Sequence, residues 1–390
     1  MVNGPKPSIL LGTFFIRSVE IEGVGNLIRG LSEEFALRGH HVTLVLPEGE
    51  YRGWDQYAEI RRYRTGTFGG HQRYLHAISQ ESAKVDMVLL MESCPTLVGS
   101  YRASRCPRTW INFITPLASL GLIGETGLCR QAVAHALAKS PLFARLRRWD
   151  DVRCIVASGY QAAELRGLGA RDVNVLPCCG VSGKREVPDR REARRRLGWD
   201  DRPVVGHVGH FSRIKGVDVL VEAFYHHHSP AILKVAHSGK GRLTPKAQRM
   251  YDEMRANRRL EEFGKVDPVD FLAACDVVCL PYVTSDIFHQ PQVLVESFAG
   301  GTAVITTSLG GFGELVVPGS TGQLVAPRNV PALSRALEEA VADLPAVHAM
   351  GQSARARFEH DLSRESFVDR FLAAVDGGMT HGQDARAICR

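Results

Sequence analysis

Residues 203–218 read Pro-Val-Val-Gly-His-Val-Gly-His-Phe-Ser-Arg-Ile-Lys-Gly-Val-Asp. An apolar run (203–208) breaks at Gly209, a loop occupies 209–216, and helical periodicity starts over 217–225. Strand, glycine loop and helix in that order form the opening unit of a parallel sheet wrapped by helices. A glycine directly after a strand permits close backbone approach. Lys215, six residues on, stands where the helix begins. Its ammonium and the positive end of the helix could therefore converge on one phosphate. For this segment alone, a surface lysine beside a glycine turn remains the plainer alternative.

The same unit recurs along the chain. A first strand is expected over 8–15, then Gly23-Val24-Gly25 leads into a helix over 26–38, with Leu27, Leu31, Phe35 and Ala36 at helical spacing. Gly39 ends that helix, and 41–47 (HVTLVLP) reads as the next strand. Further strands are expected at 86–91, 109–114, 154–157 and 173–176, then, beyond the stretch quoted first, at 231–236, 277–281, 303–307 and 323–325. The charged segment 184–196, carrying Pro188, separates two apolar stretches and reads as a linker followed by a helix. The expected architecture is thus α/β, with two doubly wound Rossmann-like domains facing a central cleft. They would comprise an N-terminal domain (1–183), a C-terminal domain (184–355) and a last helix (356–390) packing back toward the first, with a loose tail. In such sheets ligands bind beyond the carboxyl ends of the strands, at helix N-termini.

Composition narrows the function classes. The 390 residues are 44% hydrophobic and 23% charged, the profile of a globular protein. A net charge of +6, from 48 basic and 42 acidic residues, is too slight for a nucleic-acid footprint. The nine cysteines are scattered, with no C-x-x-C pair, so neither a disulfide framework nor a zinc site is expected. The segment from Met1 to Phe15 has no leader pattern, and no apolar run approaches the ~18 residues of a membrane span. A cytoplasmic protein, at most peripheral at the inner membrane face, is expected. The basic amphipathic stretch 129–149 is read as a surface helix, with contact to an anionic membrane as the other reading.

The second chemical signal is Glu296, set among Val293, Leu294, Val295, Phe298 and Ala299. Carboxylates are rarely buried without a partner. The vicinal hydroxyls of a ribose would serve, since one carboxylate can accept two O–H hydrogen bonds. A carboxylate capping a neighbouring loop is the structural alternative.

These segments, in this order, resemble the retaining GT-B glycosyltransferases of family 4, the group 1 transferases. That family's donor half reads G-R-x-x-x-x-K-G-x-D-x-L, then E-x7-E, then G-G-x-x-E and G-x-x-V-x-P. Here Gly209…Lys215-Gly216-Val217-Asp218-Val219-Leu220 comes first, then Glu296 followed by Gly300-Gly301-Thr302-Ala303-Val304-Ile305. Gly310-Gly311-Phe312-Gly313-Glu314 and Gly322-Gln323-Leu324-Val325-Ala326-Pro327 complete the series. The resemblance implies a hexosyltransferase-type enzyme taking a nucleoside-diphosphate sugar, a UDP-sugar by expectation. Its acceptor would be a small molecule, lipid or glycan precursor, and it would need no cofactor or metal. It implies that Lys215 neutralises the donor diphosphate and Glu296 holds the ribose. Gly209 and the backbone of Val293, Leu294 and Val295 would meet phosphate, and the Gly264-Lys265-Val266 loop the base. Gly23 and Gly25 would face the donor phosphates or the acceptor.

Two positions depart from the family pattern. His210 stands where the family has arginine, and Phe288 where it has the first glutamate of E-x7-E. His210 is then expected at the phosphate with partial charge near neutrality. At Phe288 the sequence would lose that sugar contact or supply it from Asp286 or His289 by a loop shift. A sugar-nucleotide epimerase or hydrolase of the same fold, and a non-catalytic nucleotide-sugar-binding protein, are the alternatives. The triplet His226-His227-His228 is set aside as a solvated helix end, because consecutive histidines on a helix point in different directions. The absence of any D-x-D sequence argues against a metal-dependent transferase of the other major architecture.

Overall fold

A computed structural model describes residues 5–13, 23–65, 69–92, 98–113, 151–167, 169–177, 180–237, 239, 241–284 and 291–376. The described chain builds two parallel sheets. The first contains β1 (Ile9–Gly12), β2 (Val42–Pro47), β3 (Glu59–Tyr63), β4 (Met87–Glu92), β5 (Thr109–Phe113), β6 (Arg153–Val156) and β7 (Asp172–Val175), in the order β3-β2-β1-β4-β5-β6-β7. The second contains β8 (Val204–Val208), β9 (Ile232–Ala236), β10 (Leu260–Phe263), β11 (Val277–Leu280), β12 (Ala303–Thr307) and β13 (Gly322–Val325), in the order β10-β9-β8-β11-β12-β13. Every described pairing between these strands is parallel.

Strands β1, β2, β9, β11 and β12 are buried from end to end. Helices cover both faces of such a sheet, so a central strand must be apolar on both sides rather than alternating. Two of the four edge strands look different. β3 (EIRRY) and β10 (LEEF) carry charges and are partly exposed, as edges that must resist pairing with another chain usually are. Neither is foreseen by an apolar-run reading. The first helix also starts earlier than its periodicity suggests, running Gly23–Leu37.

In both sheets the strand order reverses once, between β1 and β4 and between β8 and β11. At such a switch point the flanking loops diverge and leave a crevice beyond the carboxyl ends of the strands. The 209–216 loop leaves β8 at the second of these crevices.

The last described helix, Arg364–Val375, crosses back to the first sheet. Its Phe367, Val368, Phe371 and Val375 enter the core formed by Leu27, Ile28, Leu31, Phe35 and Trp110. Around that apolar seam Arg364 pairs with Glu33 at 2.7 Å, and Arg38 pairs with Glu34 at 2.7 Å and also with Asp369. The chain is thereby closed on itself, with apolar burial supplying most of the stabilisation; Glu34 and Arg364 are themselves buried, so their pairs do little more than repay their own desolvation. No described helix is long and apolar enough to cross a membrane.

Candidate nucleotide site at the second switch point

The loop after β8 is shaped by two glycines and one serine. Ser212 accepts a hydrogen bond from the Lys215 N–H at 3.4 Å, closing the 3-10 turn Arg213–Lys215. Gly216 then adopts a left-handed conformation (φ 68°) and opens the helix Val217–Tyr225. A Cβ at Gly216 would stand 1.9 Å from the Pro281 carbonyl oxygen, so the loop is pressed against the chain leaving β11. Val283 N–H donates to the Ile214 carbonyl at 2.9 Å and locks the same contact. Two strands that flank the switch point are thus joined through this loop.

The loop folds the lysine inward over its own start. Gly209 has φ 150°, and a Cβ there would lie 2.7 Å from Lys215 Nζ. The ammonium is largely buried, which lowers its pKa to about 8, while the nearby Glu296 carboxylate acts in the opposite direction. Glu296 lies in the helix Gln292–Ala299 and is 8% exposed. Burial pushes its pKa up to about 7; Asp267 adds to that rise, and Lys215 and Arg185 oppose it. The structure therefore brings Lys215 and Glu296 together from separate segments. It leaves each as a charge that a bound diphosphate and diol could complete.

The remaining sequence-derived candidates fall as follows. His210 is exposed on the loop next to Gly209. Val266 is half-buried between β10 and the helix Pro268–Ala273. Leu294 and Val295 are fully buried, and their N–H groups donate to the Pro291 carbonyl at 3.0 and 3.5 Å. Their amides are engaged within the helix. Val293 stays in the first turn, where a helix cannot satisfy its own N–H groups. Gly23 and Gly25 sit in the first turn of the helix Gly23–Leu37, after β1 in the other sheet. Asp286, Phe288 and His289 lie outside the described residues, as does the stretch 129–149. No three His, Cys, Asp or Glu side chains among the described residues gather in a way that could hold a metal.

Two features carry no sequence signal strong enough to have been singled out for a role here. His207 is fully buried in β8, its Nδ1–H donating to the Cys279 carbonyl at 2.9 Å. Burial first, and then the charge of Lys215, lower its pKa to about 4, so a neutral imidazole underlies the lysine. A polar residue in the otherwise apolar run Val-Val-Gly-His-Val was the available hint. The second feature is Glu314, after β12. Its two carboxylate oxygens accept the Gly159 N–H at 2.7 Å and the Tyr160 N–H at 2.8 Å. Those amides open the helix Gly159–Gly167, after β6 of the other sheet. The carboxyl ends of both sheets meet here, and the anion sits at the positive end of a helix. The Arg357 guanidinium holds the Glu314 and Leu315 carbonyls at 2.6 and 2.8 Å, fixing the clasp from behind.

Residues 202–343 match the family model described as Glycosyl transferases group 1. Over that stretch the chain is similar to the group 1 glycosyl transferases. The matched stretch contains Lys215, Glu296 and Glu314 alike. The chain is 29% identical over 247 residues to the lipopolysaccharide core biosynthesis mannosyltransferase LpsB of Rhizobium meliloti (strain 1021), covering 59% of this chain and 66% of LpsB. It spans between about a half and two thirds of the length of several curated relatives that it matches. Among solved structures, sucrose-phosphate synthase from Thermosynechococcus elongatus superposes with a TM-score of 0.75 at 19% identity, covering 95% of this chain and 98% of that one. Anabaena HepE in complex with UDP-glucose gives a TM-score of 0.70 at 15% identity, covering 95% and 99%. At such identities the likeness establishes the fold, which is GT-B: two Rossmann-like domains facing a cleft.

Proposed function

We propose that this protein is a glycosyltransferase that moves a sugar from a nucleoside-diphosphate donor to an acceptor hydroxyl, with retention and without a required metal. The observation that carries the proposal is the meeting of Lys215 and Glu296 beside Gly209 at the β8–β11 switch point. Lys215 would neutralise the diphosphate, Glu296 would accept the ribose hydroxyls, and the Val266 loop would border the base. When the bond from the anomeric carbon to the β-phosphate oxygen breaks, negative charge grows on that oxygen. A fixed, partly desolvated ammonium aimed there stabilises the transition state more than the ground state. The UDP-glucose complex of HepE and the mannosyltransferase name of LpsB support the donor class, and a UDP-sugar is the reading we favour.

A thermal-shift panel of UDP-, GDP- and TDP-sugars tests the donor class. A ligand at 100 times its Kd stabilises the folded state by about 2.7 kcal/mol, which raises the Tm of a chain this size by a few degrees. Silence across the whole panel would remove the proposal. Turnover of donor in the absence of any acceptor would replace transfer by hydrolysis or epimerisation.

The two shifted groups also set a pH dependence. Donor capture needs Glu296 ionised, to accept hydroxyls, and Lys215 protonated, to meet phosphate. Ionised Glu296 appears as pH rises through about 7, and protonated Lys215 disappears as pH rises through about 8. The expected kcat/KM profile is a narrow bell between those limbs. Replacing Glu296 by Gln should erase the acid limb and leave the alkaline one. A flat profile from pH 6 to 9 would show that this pair does not govern donor capture.

A further inference from the structure

We infer that Arg185, on the chain segment joining the two domains, is a positioning residue of the nucleotide site, holding Asp267 and through it the Val266 loop. The inference rests on the donor-site reading above and deepens it. One guanidinium nitrogen, Nη2, donates to Asp267 Oδ1 at 2.7 Å and to Asp270 Oδ1 at 2.8 Å. Asp267 Oδ1 simultaneously accepts the N–H groups of Val269 at 3.0 Å and Asp270 at 3.2 Å, capping the helix Pro268–Ala273. The residue before this cap is Val266, so the arginine fixes the turn that borders the proposed base position.

The same ion pair reaches the ribose end. Asp267 works against ionisation of Glu296 and Arg185 works in its favour. With Arg185 in place, part of the Asp267 effect is countered, alongside the larger opposing effect of Lys215. Without it, Asp267 would stand as an unbalanced negative charge beside a buried carboxylate that must itself be negative to accept hydroxyls.

The segment is tied down on its other side as well. Glu365 accepts the Gly183 N–H at 2.8 Å and the Ser182 hydroxyl, and the Arg364 N–H donates to the Val181 carbonyl at 3.0 Å. Both Arg364 and Glu365 start the helix that packs into the N-terminal core. A short run from Val181 to Arg185 thus connects the N-terminal domain to the nucleotide end of the C-terminal one. No sequence motif marks this role, because Asp267 and Asp270 lie far from Arg185 along the chain.

Titration calorimetry with UDP and with GDP on the full chain tests the inference. Arg185→Ala is expected to weaken binding of whichever nucleotide the wild-type chain takes by about tenfold, the size of one charge-assisted contact. Because a single nitrogen makes both contacts, Arg185→Lys should recover most of that affinity. Asp267→Asn, which keeps a capping side chain, should weaken binding similarly, and the double variant should be no weaker than either single one. Thermal melts of the free variants confirm that each is folded at the assay temperature. Wild-type affinity in Arg185→Ala, strict additivity with Asp267→Asn, or no recovery by lysine would each overturn the positioning role. If the wild-type chain binds neither of these nor TDP, the donor-site reading fails, and the inference fails with it.

Discussion

Lys215→Ala is expected to lower kcat/KM for the nucleotide-sugar donor by about 10²–10³-fold, the cost typical of removing one preorganised group that stabilises transition-state charge. The position of the ammonium is set by its surroundings rather than by its own freedom. The Ser212-closed turn, the close approach to Gly209 and the fit of Gly216 against Pro281 leave the side chain little other space. Arginine is not expected to substitute. Its planar fork is larger than the gap over Gly209, where a Cβ would already stand 2.7 Å from Nζ. Removing the cation relieves its own desolvation penalty but leaves the buried Glu296 carboxylate without it, so the free variant should melt somewhat lower than the wild type while staying folded at the assay temperature. Low activity in a folded protein is therefore the outcome to look for. A loss of less than about threefold would mean that Lys215 does not face the leaving group.

Gly216→Ala is expected to destabilise the chain by about 2–5 kcal/mol, combining overpacking with left-handed strain. The added methyl would meet a backbone carbonyl at 1.9 Å, and a carbonyl of β11's exit cannot swing aside as a flexible side chain can. The same residue holds the Lys215 loop against the switch point, so donor affinity should fall together with stability. Urea denaturation read by tryptophan fluorescence, alongside nucleotide calorimetry, would show both losses. An alanine variant of wild-type stability would contradict the packing described here. Gly239→Ala is a useful contrast: it too has positive φ (73°), but nothing lies within 4 Å of its would-be Cβ. Only the conformational cost of about 1–2 kcal/mol should remain there.

These two residues also show which parts of the site were legible in the chain. Lys215 and Gly216 stood out because a glycine loop between an apolar strand and a helix has a local signature, and Glu296 because a carboxylate interrupts an apolar helix. The engagement of the Leu294 and Val295 amides with the Pro291 carbonyl leaves no trace in the sequence, because it depends on where the helix starts. Glu314 was recognised as part of a motif but not as a contact. Its partners are the backbone N–H groups of Gly159 and Tyr160, and a backbone amide carries no residue-type signal. Arg185 was read as part of a charged linker, and only folding brings it to Asp267. Strands β3 and β10 were missed because edge strands trade the apolar run for charge.

Read alone, the chain specified an α/β architecture of two repeated halves, most of the central strands, and the glycine loop with its lysine. Those features follow from apolar periodicity and turn chemistry, which act over a few residues and leave a trace in the order of side chains. Strand order, the reversal between β8 and β11, the burial that shifts Lys215 and Glu296 toward each other, and the clasp between the domains had to come from the three-dimensional arrangement. Their physical basis is desolvation and proximity between distant segments, and neither exists until the chain has folded.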